Sequence, residues 1–383
     1  MKVLHILNGF GFGGAETWLL EIVKQNKNQY CFDFLLTGGV EKELDIEFKR
    51  EGCKLYYVKF SGKRMLFFAR QLNKIVKREA YDVIHDHEDF VAGWHWLFLL
   101  FRLPRVRISH AHNSMIYINN YSNSLGRKLF YRLGKWLTGM LTTSLTGTSN
   151  QLLNELGYDR PFYRRKRIEP LYCGIKASAF KFNQVARDKI RNEFNIAVND
   201  KVVIFIGRIG LSRQNEINHK NPEFAFEIAK CLTVDGSSYK VLFVGEKGAL
   251  GAALEKQAAA LGLADRIYFL GKRNDVNNVL SASDLMLFTS TLEPFGLVLV
   301  EAQFNSLPVV GSNIITKELI LFPDMFMLLD IKNSRAPNWA NQIKMYFRQP
   351  IDRLAYTVKH DRDIDASPFT IDSSYNRLLK YYV

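Results

Sequence analysis

Short apolar runs alternate with longer amphipathic stretches along both halves of the chain. In the first half, the apolar runs predict strands over residues 3–7, 31–36, 54–58, 83–85, 106–109 and 144–147. The stretches at 15–24 and 64–77 predict helices between these strands, because their apolar residues recur at helical spacing. Strands that alternate with helices are typical of a parallel sheet covered on both faces.

The same alternation restarts in the second half. Strands are predicted over residues 202–206, 241–244, 267–270, 285–288 and 309–310, and a helix over 222–231. The periodicity breaks between residues 160 and 177, at Pro161, Pro170 and Gly174. A chain of 383 residues is also longer than one core usually supports. We therefore predict two doubly wound, Rossmann-like α/β domains over 1–168 and 169–369, with an amphipathic end, 370–383, that docks onto the first.

The positive charge of the chain is concentrated in its first half. The formal net charge is +14, and no carboxylate occurs between Phe90 and Asn154. Arginines and lysines in this window are interleaved with large aromatic residues, and a basic run, Arg164 to Arg167, follows. This mixture predicts contact with an anionic membrane surface, with an ordinary solvated basic face as the alternative. No nucleic-acid partner is expected, because no recognised nucleic-acid motif accompanies the charge.

The sequence also favours a cytoplasmic location. The chain opens directly on a strand pattern, so no signal peptide is predicted. The longest apolar run, 94–101, is far shorter than the ~20 residues that cross a bilayer. The four cysteines are scattered, which is typical of reduced thiols. We expect a cytoplasmic protein that is peripheral at the inner face of the membrane.

A glycine turn follows the first predicted strand. The segment NGFGFGGAE contains Gly9, Gly11, Gly13 and Gly14 just before a helix. Glycines allow the backbone to turn sharply and to approach a ligand closely, and the N–H groups at a helix start favour anions. A phosphate or a sugar is the expected ligand.

A second candidate lies after the strand predicted at 285–288. The segment LEPFGLVLVEAQ carries Glu293 in a turn and Glu301 on a helix, roughly 7 Å along the axis from Gly296 at ~1.5 Å per residue. We expect Glu301 to accept hydrogen bonds from ribose hydroxyls and Glu293 to contact the sugar end of a nucleotide. The alternative is a capping glutamate and a surface charge. The helix start that would hold a diphosphate consists of Phe295, Gly296, Leu297 and Val298.

Two cations and a further glycine turn follow other strands of the second half. Arg208 comes directly after the strand at 202–206, and Lys220 precedes the helix at 222–231. Together they would neutralise a diphosphate and stabilise it as a leaving group, whereas taken singly each is equally well a solvated loop charge. Gly245 opens the glycine turn VGEKG.

These motifs, in this order, resemble the retaining, nucleotide-sugar-dependent glycosyltransferases of family four. The resemblance spans most of the chain and is strongest over residues 202–313. It implies the GT-B fold, in which two Rossmann-like domains face each other across a cleft. The segments that carry it are GGAE at 13–16, GR…KN at Gly207, Arg208, Lys220 and Asn221, VGEKG at 244–248, LGKRNDV at 270–276, and E-x7-E from Glu293 to Glu301.

The resemblance implies a transferase that needs neither metal nor cofactor. Arg208 and Lys220 would bind the donor diphosphate, Glu301 the ribose and Glu293 the transferring sugar. Gly13 and Gly14 would approach the phosphates from the first domain. The stretch between Arg208 and Lys220 is longer than the family pattern usually has.

Five of the eight histidines lie between residues 85 and 112. The family resemblance implies that one histidine after the strand at 106–109 faces the donor sugar, either His110, which we favour, or His112. His85 and His87 are then expected on the acceptor side. The rival hypothesis is a metal-dependent hydrolase that uses His85, His87, His110 and His112 as ligands, since residues i and i+2 of an extended chain share a face.

Two other rivals remain. A nicotinamide-dependent enzyme would use Gly9, Gly11 and Gly13 as a dinucleotide loop, but it requires a carboxylate at the end of the second strand, where Thr37 stands instead. A nucleotide-sugar epimerase on the same scaffold would bind the same donor. The preferred hypothesis is a retaining hexosyltransferase that moves a sugar from a UDP-sugar to a lipid-linked or saccharide acceptor in capsule, exopolysaccharide or lipopolysaccharide assembly.

Overall fold

The computed structural model describes residues 1–11, 13–26, 29–114, 124–210, 217–234 and 238–383. These residues form two compact units. Unit 1 comprises Met1–Lys176 together with Pro368–Val383, and unit 2 comprises Ala177–Ser367. The change of unit after Lys176 lies a few residues beyond the boundary expected from the sequence.

Unit 1 is built on a seven-stranded parallel sheet with the order β3-β2-β1-β4-β5-β6-β7. Its inner strands are near-continuous apolar runs, as expected where helices cover both faces. In β1, for example, five of the six residues are buried. The strands are β1 (Lys2–Leu7), β2 (Cys31–Leu36), β3 (Leu55–Tyr57), β4 (Val83–Asp86), β5 (Val106–Ala111), β6 (Ser144–Gly147) and β7 (Arg167–Pro170).

Helices of unit 1 pack apolar residues such as Phe68, Leu72 and Trp96 on this sheet. Helices α4 and α5 approach each other closely, because a Cβ atom on Gly93 would lie 1.9 Å from the carbonyl oxygen of Gly134. The helices are α1 (Gly14–Gln25), α2 (Asp45–Arg50), α3 (Met65–Glu79), α4 (Ala92–Phe98), α5 (Leu125–Leu141) and α6 (Asn150–Glu155), with 3-10 turns at Gly62–Arg64 and Pro161–Tyr163.

Unit 2 contains a six-stranded parallel sheet with the order β10-β9-β8-β11-β12-β13. Its core combines apolar residues of the sheet and of the covering helices, with Trp339 fully buried among them. The strands are β8 (Lys201–Ile206), β9 (Tyr239–Val244), β10 (Ile267–Gly271), β11 (Leu285–Phe288), β12 (Val309–Ser312) and β13 (Phe326–Leu329).

The helices of unit 2 begin at residues suited to helix starts. Asn183 and Asp352 cap two of them by accepting a backbone N–H three residues later, and Pro222 opens another. The helices are α7 (Ala177–Phe180), α8 (Gln184–Glu193), α9 (Pro222–Thr233), α10 (Gly248–Ala260), α11 (Val276–Ala282), α12 (Leu297–Phe304), α13 (Ala336–Tyr346) and α14 (Arg353–Asp365), with 3-10 turns at Lys317–Leu319 and Pro323–Met325.

The last helix, α15 (Ile371–Tyr382), returns to unit 1. The indole N–H of Trp18 on α1 donates to the hydroxyl of Ser374 at 2.8 Å. The phenol of Tyr382 lies fully buried in the same unit. The C-terminal residues are therefore part of the core of unit 1.

Every strand predicted from the sequence is present, and two further strands were missed. β7 carries Arg167 and Pro170 at an edge of its sheet, so its sequence resembles a linker. β13 is a half-buried edge strand of four residues. Among the described residues, no helix is both long and apolar enough to cross a membrane.

Each sheet reverses its strand order once. In unit 1 the reversal lies between β1 and β4, and in unit 2 between β8 and β11. Ligands of doubly wound sheets bind beyond the carboxyl ends of the strands at such a position. The residues that follow these four strands, and β5 beside β4, are therefore the first candidates for a functional site.

Candidate active site

The loop after β8 in unit 2 is held by an asparagine from its own far end. Asn218 Nδ2 donates to the carbonyl oxygens of Arg208 at 2.9 Å and Ile209 at 3.0 Å. The next turn packs directly on this loop, since a Cβ atom on Gly245 would lie 1.9 Å from the carbonyl oxygen of Gly207. Gly245 also has a φ of +142°, a backbone angle that residues other than glycine rarely adopt. The backbone at Arg208 is therefore held both by the Asn218 hydrogen bonds and by the packing of Gly245 against Gly207.

Lys220 and Glu293 are brought into contact at this sheet edge. The Lys220 ammonium forms an ion pair with the Glu293 carboxylate. The loop that carries Lys220 is tied to β11, because the hydroxyl of Thr289 donates to the carbonyl oxygens of Lys220 and Asn221, each at 3.0 Å. Thus two residues that lie 73 positions apart in the sequence meet where the sequence analysis expected the phosphate and sugar ends of a donor.

The helix start after Glu293 has the predicted geometry. Gly296 has a φ of +93° and is the N-cap of α12, while Leu297 and Val298 form its first turn. Phe295 is buried beside them. No side chain of the described residues caps this helix, so the N–H groups of Leu297 and Val298 remain available to an anion.

Glu301 lies one turn into α12 with an unusual carboxyl group. Burial raises its pKa to about 7, because a carboxylate loses its water there and gains no compensating charge. None of the hydrogen bonds and ion pairs among the described residues involves the Glu301 side chain. A partly buried carboxylate without a partner among the described residues favours a ligand that donates hydrogen bonds to it.

The glycine turn of unit 1 leads into α1 after β1. Gly13 is the N-cap of α1 and Gly14 is its first residue. The hydroxyl of Thr17 donates to the carbonyl oxygen of Gly13 at 2.9 Å. Burial raises the pKa of the nearby Glu16, and Lys42 partly offsets this shift. The sequence expectation of a helix start behind this turn is confirmed.

Five histidines, four of them buried, form a cluster at the carboxyl edge of the unit 1 sheet. His5 comes from β1, His85 and His87 from β4 and its end, and His110 and His112 from β5 and its end. Strand pairing sets His5 beside His85. The rings are close together, with centroids 4.2 Å apart for His85 and His87 and also for His110 and His112.

Hydrogen bonds link three of these rings in sequence. His5 Nδ1 lies 2.9 Å from His87 Nε2, and His87 Nδ1 lies 3.0 Å from His112 Nε2. Two triplets, His5 with His85 and His87 and His87 with His110 and His112, are compact enough to hold a metal ion. Burial lowers the pKa of all five imidazoles, to about 3 for His5 and about 4 for His112. Neutral rings suit either metal binding or mutual hydrogen bonding.

The two histidines considered for the donor sugar are not equivalent. His110 lies inside β5, is 0% exposed, and neither of its ring nitrogens makes a hydrogen bond of ordinary geometry. His112 follows the end of β5 and is partly exposed. Of the two rings, only His112 is therefore accessible from the protein surface.

Two carboxyl groups after β4 complete the edge of unit 1. Asp89 accepts from the backbone N–H of His112 at 2.7 Å and from Asn113 Nδ2 at 2.8 Å. Glu88 accepts from the hydroxyl of Thr37 at 2.6 Å. Burial raises the pKa of Glu88 to about 7 and that of Asp89 to about 6. Asp89 thus fixes the backbone from which the His112 side chain extends.

Comparisons with known proteins agree with the motifs of both units. The model of the family "Glycosyltransferase Family 4" matches residues 12–178, and that of "Glycosyl transferases group 1" matches residues 186–320. The two matches together span well over half of the chain. The chain is a group 1 glycosyltransferase.

Curated relatives extend over most of this glycosyltransferase. The putative glycosyltransferase EpsF of Bacillus subtilis is 27% identical over 83% of this chain and 80% of its own length. The capsular polysaccharide biosynthesis glycosyltransferase CapH of Staphylococcus aureus is 26% identical over 100% of this chain and 99% of its own. Neither the metal-dependent hydrolase nor the epimerase alternative is supported by these similarities.

Solved structures confirm the GT-B fold class. Anabaena HepE in complex with UDP-glucose superimposes with a TM-score of 0.79 at 18% identity, covering 99% of this chain and 98% of that one. WaaG, described as a glycosyltransferase involved in lipopolysaccharide biosynthesis, has a TM-score of 0.71 at 16% identity over 98% of each chain.

Sequence reasoning missed three residues of this edge. His5 lies in the predicted strand at 3–7 and Tyr382 in the amphipathic end at 370–383, and the sequence assigned no role to either of them or to Asp89. Tyr382 contacts His5, which lies 377 residues earlier in the chain. Polar residues within otherwise buried strand and helix faces were the one available signal.

Proposed function

We propose that this glycosyltransferase moves a sugar from a nucleotide donor, a UDP-sugar, to a saccharide or lipid-linked acceptor in the assembly of a surface polysaccharide such as capsule, exopolysaccharide or lipopolysaccharide. The similarity to CapH, a glycosyltransferase of capsular polysaccharide biosynthesis, and to WaaG, a glycosyltransferase involved in lipopolysaccharide biosynthesis, supports this class of pathway. The complexes of HepE with UDP and with UDP-glucose support uridine as the base.

The observation that carries the donor site is the contact between Lys220 and Glu293 in front of the uncapped start of α12. In this proposal Lys220 and Arg208 bind the diphosphate together with the N–H groups of α12. Glu293 contacts the transferring sugar, Glu301 accepts hydrogen bonds from the ribose, and Gly245 keeps the neighbouring backbone close. Unit 2 is then the donor domain and unit 1 the acceptor domain.

Unit 1 contributes neutral groups to the same reaction. We assign His112, rather than His110, to a hydroxyl of the donor sugar, because His112 is the ring that is partly exposed. The helix start at Gly13 and Gly14 offers backbone N–H groups that favour a phosphate. His85 and His87 lie behind His112 as buried supporting groups.

The proposed reaction retains the anomeric configuration and uses no metal ion. The bond from the anomeric carbon to the diphosphate oxygen breaks, and the acceptor oxygen bonds to the same face of that carbon. The acceptor proton passes to the departing diphosphate. Lys220, Arg208 and the α12 dipole stabilise the charge that develops on the diphosphate, which is the role a metal ion has in other enzymes.

Nucleotide binding tests this proposal directly. We would measure the binding of UDP, GDP and ADP by calorimetry, each with and without EDTA, on the wild type and on Arg208→Ala, Lys220→Ala and Glu301→Ala. We expect EDTA-insensitive binding of UDP that weakens in all three variants. Val198→Ala is the control, because Val198 is exposed and precedes the start of β8, whereas the proposed site follows the strand ends. EDTA-sensitive binding, or unchanged binding in the three variants, would refute the proposed site.

We further propose that unit 1 binds an anionic membrane through the outer face of α5. Five large apolar side chains are exposed on this helix at intervals of three or four residues, and Trp136, with 52% exposure, is the bulkiest. Such spacing forms one stripe along a helix. The helix has four basic residues and no acidic one. The stripe consists of Leu125, Leu129, Leu133, Trp136 and Met140.

The charge of α5 specifies the lipid partner. Lysines and arginines beside an apolar stripe are typical of helices that lie in the interface of an anionic leaflet. The adjoining segment adds Phe101, which is 94% exposed, and Arg102 and Arg105. Membrane attachment at this surface would hold unit 1 where a lipid-linked acceptor resides.

Liposome flotation tests the membrane surface. The wild type is expected to float with vesicles that contain phosphatidylglycerol and not with phosphatidylcholine vesicles. Leu129→Gln combined with Trp136→Gln should abolish flotation, while Val185→Gln combined with Val198→Gln, at exposed positions of unit 2, should not. Equal flotation of the two double variants, or no flotation of the wild type, would contradict the assignment.

A further inference from the structure

A chain of hydrogen bonds connects the C-terminal helix to His112. The hydroxyl of Tyr382 lies 3.2 Å from His5 Nε2. His5 Nδ1 is 2.9 Å from His87 Nε2, and His87 Nδ1 is 3.0 Å from His112 Nε2. A branch ends at His85, whose Nδ1 lies 3.3 Å from the Tyr382 hydroxyl.

All members of this chain are neutral at physiological pH. Burial lowers the pKa of every imidazole in the chain and raises the pKa of the Tyr382 phenol. A neutral imidazole has one N–H donor and one acceptor nitrogen. Each hydrogen bond therefore fixes the tautomer of both rings that it joins, and the chain as a whole has two possible directions.

The branch at His85 decides between the two directions. If His112 donated to His87, then His87 would donate to His5, His5 to Tyr382, and Tyr382 to His85 Nδ1. The His85 proton would then reside on Nε2, a buried nitrogen that has no partner among the described residues. A buried donor without a partner is rarer and more costly than a buried acceptor in the same condition.

In the other direction no donor of the chain is buried without a partner. His85 donates to the oxygen of Tyr382, Tyr382 donates to His5 Nε2, His5 Nδ1–H donates to His87, and His87 Nδ1–H donates to His112 Nε2. The unpartnered Nε2 of His85 is then an acceptor. His112 accepts on Nε2, so its proton resides on Nδ1.

We propose that His87 is a positioning residue that holds His112 as the Nδ1–H tautomer, and that the bonds from His87 through His5 to Tyr382 keep His87 itself in the donating form. Asp89 completes the arrangement, because it accepts the backbone N–H of His112 at 2.7 Å. The side chain of His112 thus presents a hydrogen-bond donor in a fixed orientation at the carboxyl edge of the sheet.

The consequence for catalysis rests on the proposed function. If His112 contacts a hydroxyl of the donor sugar, its Nδ1–H donates to the hydroxyl oxygen. The opposite tautomer would offer a lone pair at the same place and would select a different hydroxyl orientation. Loss of one hydrogen bond of this kind is expected to lower the rate of sugar transfer roughly tenfold.

Nitrogen chemical shifts test the tautomer independently of activity. The full-length protein is produced with ¹⁵N-labelled histidine. The His112 signals are assigned by their loss in His112→Asn. In the wild type we expect a protonated Nδ1 and an unprotonated Nε2 for His112, His87 and His5. A proton on Nε2 of His112, a doubly protonated ring at pH 7.5, or one equivalent of tightly bound zinc would overturn the proposal.

Two matched variants test the role of His87. His87→Phe removes the ring that bonds to His112, so we expect the Nδ1–H preference of His112 to be lost and kcat to fall about tenfold with little change in the KM for the donor. His85→Phe removes another buried ring, on β4, that is not bonded to His112. The tautomer should persist, because in the opposite direction the buried Tyr382 hydroxyl would have no acceptor among the described residues. Loss of the tautomer in both variants, or in neither, would contradict the positioning role.

The two readouts separate this inference from the proposed function. A correct tautomer together with unchanged kcat in His87→Phe would mean that His112 does not act on the substrate. An incorrect tautomer in the wild type would refute the chain of hydrogen bonds, whatever reaction the protein performs.

Discussion

The two sheets reverse their strand order in the same way, but the residues beyond their carboxyl ends differ in kind. In unit 1 these residues are buried imidazoles whose pKa values burial lowers, so they are neutral. In unit 2 they are Lys220 paired with Glu293, Arg208 on a fixed loop, and an uncapped helix start. One edge offers neutral hydrogen bonds and the other offers charge.

This difference separates two tasks of a sugar transfer. A diphosphate that gains charge as it departs requires cations and helix N–H groups. A hydroxyl requires a donor or acceptor of fixed direction and no net charge. The same backbone frame serves both tasks, because the loops beyond a sheet edge vary while the strands that position them stay regular.

The largest effect is expected from removing charge at the unit 2 edge. Lys220→Met should lower kcat/KM by about 10²–10³, which is typical when one donor that stabilises developing negative charge is removed. Steady-state kinetics with UDP-sugar donors measure the loss. Lys201→Met is the control, because Lys201 lies at the start of β8, at the other end of the strand. A loss below tenfold, or an equal loss in the control, would place the charge-stabilising group elsewhere.

The glycine turns of the two units should also respond differently. Gly245→Ala should destabilise unit 2 by about 3 kcal/mol, because φ is +142° and the new Cβ would lie 1.9 Å from the carbonyl oxygen of Gly207. Gly11→Ala should change stability by less than about 0.5 kcal/mol, since among the described residues no atom beyond its chain neighbours lies within 4 Å of its Cβ position. Urea denaturation measures both, and similar losses would mean that the turns are equally constrained.

The sequence predicted the frame better than the site. The buried inner strands are continuous apolar runs, so their pattern is visible without the partner strands. The missed strands β7 and β13 lie at sheet edges, where burial is partial and the apolar signal is weak. Pro170 and Arg167 in β7 made that strand resemble a linker.

Site residues that act within one motif were accessible to the same analysis. Glu293, Gly296 and Glu301 lie on one turn and the helix that follows it. Their separation along the sequence therefore determines the distances between them. The chain from Tyr382 to His112 joins residues from both ends of the sequence. Only the folded sheet and the returning helix α15 bring these residues together, so no local sequence pattern predicts the hydrogen-bond chain.

The pH dependence of donor binding should sharpen the comparison. Burial raises the pKa of Glu301 to about 7, and ribose hydroxyls would bind its ionised form. UDP binding by the wild type should therefore weaken as the pH falls below 7, by up to about tenfold per pH unit. Calorimetry between pH 5.5 and 8.5 measures this, and Glu301→Gln is the control that retains the titration of UDP itself. Parallel profiles for the two proteins would mean that Glu301 does not meet the ribose.

The smallest effect concerns Glu88 of unit 1, a carboxyl group whose pKa, like that of Glu301, is raised by burial. Burial raises the pKa of Glu88 to about 7, and the hydroxyl of Thr37, 2.6 Å away, favours its ionised form. Because this pKa lies above the unfolded value, the stabilising contribution of Glu88 is lost as the pH rises through 7. Thr37→Val removes a hydrogen bond that matters only for the carboxylate, so it should cost about 1 kcal/mol at pH 8.5 and much less at pH 5.5.

Denaturation midpoints at the two pH values measure this difference, and Thr37→Ser is the control that retains the hydroxyl. An equal loss at both pH values would mean that Thr37 bonds to a protonated Glu88. Glu88 would then be neutral like the imidazoles beside it, and the contrast between the two sheet edges would be greater than their sequences indicate. A loss confined to high pH would instead give unit 1 one titrating carboxylate, to be compared with Glu301 of unit 2.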